Sequence, residues 1–145
     1  MTRDIEGIRK LLPLRYPYLM IDRVETEEEG LVVAAKNVTI NEPFFQGHFP
    51  EPLPAVMPGT LILEAMAQTA AFLLARDGKG EGYLVGVDEA RFRRKVIPGD
   101  RLILTARVLR KRAGLVKARV EASVDDELVA SAVISLVASV NNDVG

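Results

Sequence analysis

An α+β fold, with a curved antiparallel sheet of about six strands wrapped round one long buried helix, is what this 145-residue sequence predicts. Three observations carry it. Leu61 to Ala75 is apolar all round, with Glu64 its only charge, and a helix with no polar face is buried on all sides. The segments after it alternate with a period of two. In the clearest, Val116, Ala118, Val120, Ala122 and Val124 lie on one face, and Lys117, Arg119, Glu121 and Ser123 on the other. The length is that of one domain, so a sheet must curl about the lone helix and something else must cover its remaining side. A second copy of the chain is the natural cover, which predicts a dimer.

Taken in order, Ile5, Ile8, Leu11 and Leu12 recur at helical spacing ahead of Pro13, predicting a short helix over about 4–12. Leu19 to Glu25 and Leu31 to Ile40 read as strands joined at Glu27-Glu28-Glu29-Gly30. Asn41 to Gly59 contains five of the chain's eight prolines, a density that predicts a long, stiff loop with no regular element. Pro58-Gly59-Thr60 opens the central helix, over about 59–76, and Asp77-Gly78-Lys79-Gly80 ends it. Tyr83 to Ala90, Arg101 to Arg112, Leu115 to Val124 and Glu127 to Val140 are the remaining strands, with turns at Pro98-Gly99-Asp100 and Asp125-Asp126. No repeat or linker divides the chain, so 1–145 is read as a single domain.

Composition removes several chemistries. Absence of cysteine excludes disulfides, thiolate metal sites, iron–sulfur clusters and a thiol nucleophile. With one histidine there is no His-rich zinc site, and neither a phosphate loop nor a dinucleotide fingerprint is present, so no metal and no cofactor is expected. No apolar run reaches the ~20 residues of a membrane span, and no targeting segment is visible, which makes the cytoplasm the expected compartment. Net charge is −1, but it is unevenly spread. Arg91 to Arg119 holds 11 Lys and Arg against one acid, +10, while the rest carries 8 against 19, or −11. The basic run is either a solvated strand face or a docking surface for an acidic partner. Nucleic acid is disfavoured, since only Phe92 interleaves the cations near its start.

Three residues of one loop–helix stretch could carry chemistry. His48 lies in the proline-rich loop among Phe44, Phe45 and Phe49. It is either a hydrogen-bonding loop residue or, if its apolar neighbours favour neutral imidazole, a general base. Glu64 on the apolar helix either reaches solvent or an arginine, or is a buried acid oriented by Gln68 one turn on. Gly59 at the helix start is either a plain turn residue or a close-approach N–H donor to a carbonyl oxygen. Base, acid and oxyanion donor together suit proton abstraction next to a carbonyl. Ser123, Ser131, Ser135 and Ser139 have no second histidine to activate them.

With these residues the sequence resembles the bacterial (3R)-hydroxyacyl-[acyl-carrier-protein] dehydratases of type II fatty acid synthesis. The matching segments are Leu12-Pro13-Leu14-Arg15-Tyr16-Pro17-Tyr18-Leu19, Lys36 to Pro50, Val56-Met57-Pro58-Gly59, Leu63 to Gln68, and Ala90 to Asp100. The resemblance implies a hot-dog fold and a homodimer with both active sites at the interface, often assembled as a trimer of dimers. It implies that His48 of one subunit faces Glu64 of the other, and that Gly59 polarises the thioester carbonyl. It further implies that Gln68 steadies Glu64, that Phe49 lines the substrate site beside His48, and that Tyr83 gates the acyl tunnel. Arg91, Arg93, Arg94 and Lys95 fall where such enzymes meet their acidic acyl carrier protein. Two departures stand out: Glu51-Pro52-Leu53-Pro54-Ala55 is about two residues longer than the family pattern, and Leu14 replaces a frequent His. The helical Glu, where the dehydratase/isomerase branch has Asp, favours the plain dehydratase. Rival readings on the same fold are an acyl thioesterase, an enoyl-CoA hydratase, and a non-catalytic acyl-binding module.

Overall fold

A computed structural model describes residues 1–75 and 82–138. The sequence places helix α1 at Ile5–Leu11, strands β1 at Arg23–Glu28 and β2 at Leu31–Asn37, and helix α2 at Gly59–Leu74. Strands β3 (Gly82–Phe92), β4 (Arg101–Arg112), β5 (Leu115–Val124) and β6 (Glu127–Ala138) follow. The six strands form one sheet in the order β1-β2-β4-β5-β6-β3, every neighbouring pair antiparallel.

The sheet lies against α2 because the period-two pattern puts its apolar set on one side. Leu102, Leu104 and Ala106 of β4, and Val116, Ala118, Val120, Ala122 and Val124 of β5, are all buried, while Arg107, Lys117, Arg119 and Glu121 point outward. Small side chains at Ala106, Ala118, Ala122 and Ala130 leave room for Met66, Phe72 and Leu73 of α2, each burying about 1.5–3 kcal/mol of side chain. α1 closes one end of this core with Ile8, ahead of Leu12, Met20 and Ile21. Its first turn is capped by Asp4, whose carboxylate accepts the Gly7 N–H at 3.0 Å.

The described fold departs from the sequence expectation in four places. α2 is not buried on every side of the single chain: Thr60 is exposed, and Leu61, Leu63, Glu64 and Ala71 are half-buried. Thr60, Glu64 and Ala71 mark one stripe of the helix, on the side away from the sheet. The proline-rich loop holds a short 3-10 helix at Pro43–Gln46, since a proline at the first position suits a helix start. β1 starts later than expected and runs through Glu28, because Gly30 at φ +75° makes the hairpin turn tight. Glu27 thus joins the strand and is buried, paired with Arg3. β2 ends at Asn37, not Ile40. The expected helix stop at Asp77 to Gly80 and the end of the last strand lie outside the described residues.

β3 is an edge strand of unusual character. Among the described residues it pairs only with β6, yet Tyr83, Leu84, Val85, Val87 and Phe92 are all exposed on it. An unpaired apolar edge is a template for another strand. Among the described residues, no helix is long and apolar enough to cross a membrane.

Candidate active site

The loop after β2 is folded onto itself around His48. Its N–H donates to the Phe44 carbonyl at 3.1 Å, and its own carbonyl accepts the Val56 N–H, also at 3.1 Å. The imidazole Nδ1 lies 2.6 Å from the Val56 carbonyl oxygen. That oxygen can only accept, so Nδ1 carries a proton, and in the neutral ring the lone pair is on Nε2. The neighbouring Phe49 ring stacks on the imidazole with centroids 4.1 Å apart and is itself partly exposed. A positioned imidazole with a free Nε2 is the arrangement a proton acceptor requires.

Glu64 stands in the second turn of α2 with Gln68 one turn later on the same face. Gln68 is buried and fully engaged. Its Oε1 accepts the Met20 N–H at 2.8 Å, which fixes the amide's orientation and aims Nε2 at the Tyr18 carbonyl (2.9 Å) and at Oε1 of Glu64 (3.0 Å). Among the described residues, no arginine or lysine pairs with Glu64. A cavity of about 510 Å³ opens over this group. Its walls include Leu12, Leu14, Ala67, Ala71 and Leu136, an apolar lining, and Tyr18 and Tyr83 stand with Glu64 as its titratable groups. A carboxyl facing a largely apolar chamber suits a substrate with a hydrocarbon chain and a reacting polar carbon.

Gly59 belongs to a different recess. As the first residue of α2 its N–H has no partner within the helix. A Cβ there would stand 3.3 Å from the Phe92 ring, so glycine is what lets that ring close over the helix start. A second cavity, about 330 Å³, runs from Val56 and Gly59 past Phe92 to Arg93, Arg94 and Lys95. Within one chain, therefore, Glu64, Gln68 and Tyr83 share one cavity, and Gly59 and three of the expected docking cations share another. His48 lines neither.

The four cations differ among themselves. Arg91, Arg93 and Lys95 are exposed. Arg94 is tied to Glu127 at 3.4 Å and to Asp100 at 4.0 Å, and is half-buried. β3 ends at Phe92, so alternation along a strand does not decide where Arg93 and Lys95 point. One site residue escaped the sequence reading. Tyr18 lines the same cavity as Glu64, whose negative charge raises the phenol's pKa above its ordinary 10.0, with burial acting in the same direction. Its position within Arg15-Tyr16-Pro17-Tyr18 was visible, but nothing local linked it to a helix almost fifty residues on.

Comparison with known proteins gives a consistent result. The FabA-like domain pattern matches residues 12–133. The chain is 54% identical over 136 residues to the 3-hydroxyacyl-[acyl-carrier-protein] dehydratase FabZ of Polynucleobacter asymbioticus, a match covering 91% of this chain and 90% of that one. It is 47% identical over 135 residues to the FabZ of Streptococcus pneumoniae serotype 19F, covering 91% and 95%. Among solved structures, the dehydratase heterocomplex ApeI:P from Xenorhabdus doucetiae is similar with a TM-score of 0.77 over 90% of each chain. Its identity of 15% makes that a likeness of fold.

Proposed function

We propose, from the premise that this chain belongs to the FabZ family of 3-hydroxyacyl-[acyl-carrier-protein] dehydratases, that His48 and Glu64 are its base and acid at a site shared by two subunits. The chain is a hydro-lyase of fatty acid biosynthesis, acting on 3-hydroxyacyl groups held by acyl carrier protein.

The reading of mechanism follows from the geometry. His48 Nε2 takes the proton from C2 of the (3R)-hydroxyacyl thioester, and the electrons of that C–H bond become the C2–C3 double bond. The C3–O bond breaks as Glu64 gives its proton to the departing hydroxyl, which leaves as water. The product is the trans-2-enoyl thioester. Gly59 N–H donates to the thioester oxygen as negative charge grows there, a role its unpaired position supports. The proton on His48 and the vacancy on Glu64 then return to their starting states by exchange with water.

The observation that carries the reading is the pair of half-sites. His48 is not among the residues lining the cavity that Glu64 faces, which supports a site completed by a second chain. The exposed apolar edge of β3 supports a dimer formed through that strand, and the uncovered stripe of α2 supports a partner lying against Glu64. Carrier-protein docking is assigned to Arg91, Arg93 and Lys95, with Arg94 holding the segment through Asp100 and Glu127. The acyl chain enters the cavity past Tyr83.

Incubation of the pure protein with crotonyl-[acyl-carrier-protein] and with crotonyl-CoA tests the function. Hydration to the 3-hydroxy thioester, faster on the carrier-bound substrate, is expected. Release of free thiol would mean a thioesterase, preference for the CoA ester an enoyl-CoA hydratase, and no reaction an acyl-binding module.

A further inference from the structure

We propose that Tyr18 is a positioning residue for Glu64, its phenol hydroxyl serving as the second hydrogen-bond partner that holds this carboxyl toward the cavity. The inference rests on the reading of Glu64 as the acid. Both side chains line the same chamber, and Tyr18 stands half-exposed at its edge. The two are also tied through the backbone, since Gln68 joins the Tyr18 carbonyl and the Met20 N–H to Glu64. The turn that carries Tyr18 is firmly held. Its N–H donates to the Arg15 carbonyl at 2.8 Å, and the Arg15 guanidinium donates to the carbonyls of Leu12, Leu14 and Arg9.

The chemistry explains what a phenol adds. Gln68 offers Glu64 only a donor, because its amide oxygen is occupied by Met20. An acid that cycles between protonated and ionised forms needs a neighbour that can answer both. A hydroxyl donates to the carboxylate and, on rotation, accepts from the carboxylic acid. Tyr18 is such a neighbour: it lines the chamber with Glu64, whose charge raises the phenol's pKa. Among the described residues, Tyr83 is the one other titratable group lining the chamber.

The test compares wild type, Tyr18→Phe and Glu64→Gln as full-length oligomers. Tyr18→Phe keeps the ring and removes only the hydroxyl. It is expected to lower kcat by ~3–10-fold, the range one hydrogen bond commands, with KM unchanged and with a shifted limb in the pH profile of kcat. With 13C-labelled tyrosine, the Tyr18 signal, identified by its loss in Tyr18→Phe, should titrate above the ordinary range in wild type and fall back in Glu64→Gln. Wild-type kcat and pH profile in Tyr18→Phe, or a lowered kcat with an unmoved profile, would overturn the positioning role while leaving an inactive Glu64→Gln as support for the acid. Full turnover by Glu64→Gln would instead overturn the acid assignment and this inference with it.

Discussion

Gln68 reaches Glu64 Oε1 through Nε2 at 3.0 Å while its own oxygen is locked onto the Met20 N–H. This one amide therefore joins the helix carrying the acid to the segment that closes the cavity over it. Gln68→Leu preserves volume but strands the buried Met20 N–H, which costs about 1–3 kcal/mol when unsatisfied, and frees the part-buried Tyr18 carbonyl. We expect a clear loss of stability in urea titration and a kcat lowered by ~10-fold as Glu64 loses its donor. Unchanged stability and kcat would show that the amide neither braces the fold nor orients the acid.

The β3 edge offers a separate handle. Val85 is 58% exposed on an edge strand with no partner on its outer side among the described residues. Val85→Glu should leave the protomer folded, because the side chain supports no core, yet place like charges where two edges meet. Sedimentation should then show a monomer at concentrations where wild type is a dimer, and activity should fall with dimer content. A dimeric, fully active variant would move the interface elsewhere.

Charge reversal tests docking. The double change Arg93→Glu and Lys95→Glu alters two exposed cations at the rim of the Gly59 recess. We expect a higher KM for the carrier-bound substrate, with kcat/KM for an uncharged N-acetylcysteamine thioester nearly unaltered. Salt should reproduce the selective loss in the wild type, since the screening length is ~8 Å at 0.15 M. An equal loss on both substrates would assign these residues to the fold or the site.

Tyr18 also predicts a response to alkali. Its folded-state pKa is raised above 10.0, first by the Glu64 charge. The folded state therefore holds the proton longer than the unfolded chain does. This contribution to stability is present in full below the unfolded value and is lost as pH rises through the higher folded one. Urea midpoints should fall more steeply above pH 10 in wild type than in Tyr18→Phe. Parallel curves would remove the coupling.

The sheet strands and α2 were legible because their patterns are long and regular: β4 and β5 fall where alternation put them, and the apolar run from Leu61 marks the helix. Boundaries set by single residues were not. Glu27 was read into a turn because it sits in a run of acids, and only Arg3, brought alongside by the chain's first residues, explains its burial in β1. At the site, Glu64 and Gln68 were readable as neighbours because helical spacing is a local rule. Tyr18 was not, because its approach to Glu64 depends on where α1 and the Arg15 turn come to rest against α2. His48 was recognisable by its company, but the Val56 carbonyl that sets its tautomer is eight residues away across an irregular loop.

The central claim is that a working site takes His48 from one chain and Glu64 from another. His48→Ala and Glu64→Gln should each lower kcat by ~10²–10⁴-fold as pure homodimers. Subunit exchange between the two variants measures the claim directly. Half of the resulting dimers carry one chain of each kind, and each of those holds one site with both wild-type groups. The mixture should therefore regain about a quarter of wild-type activity. Verified heterodimers that stay as inactive as their parents would contradict the shared site.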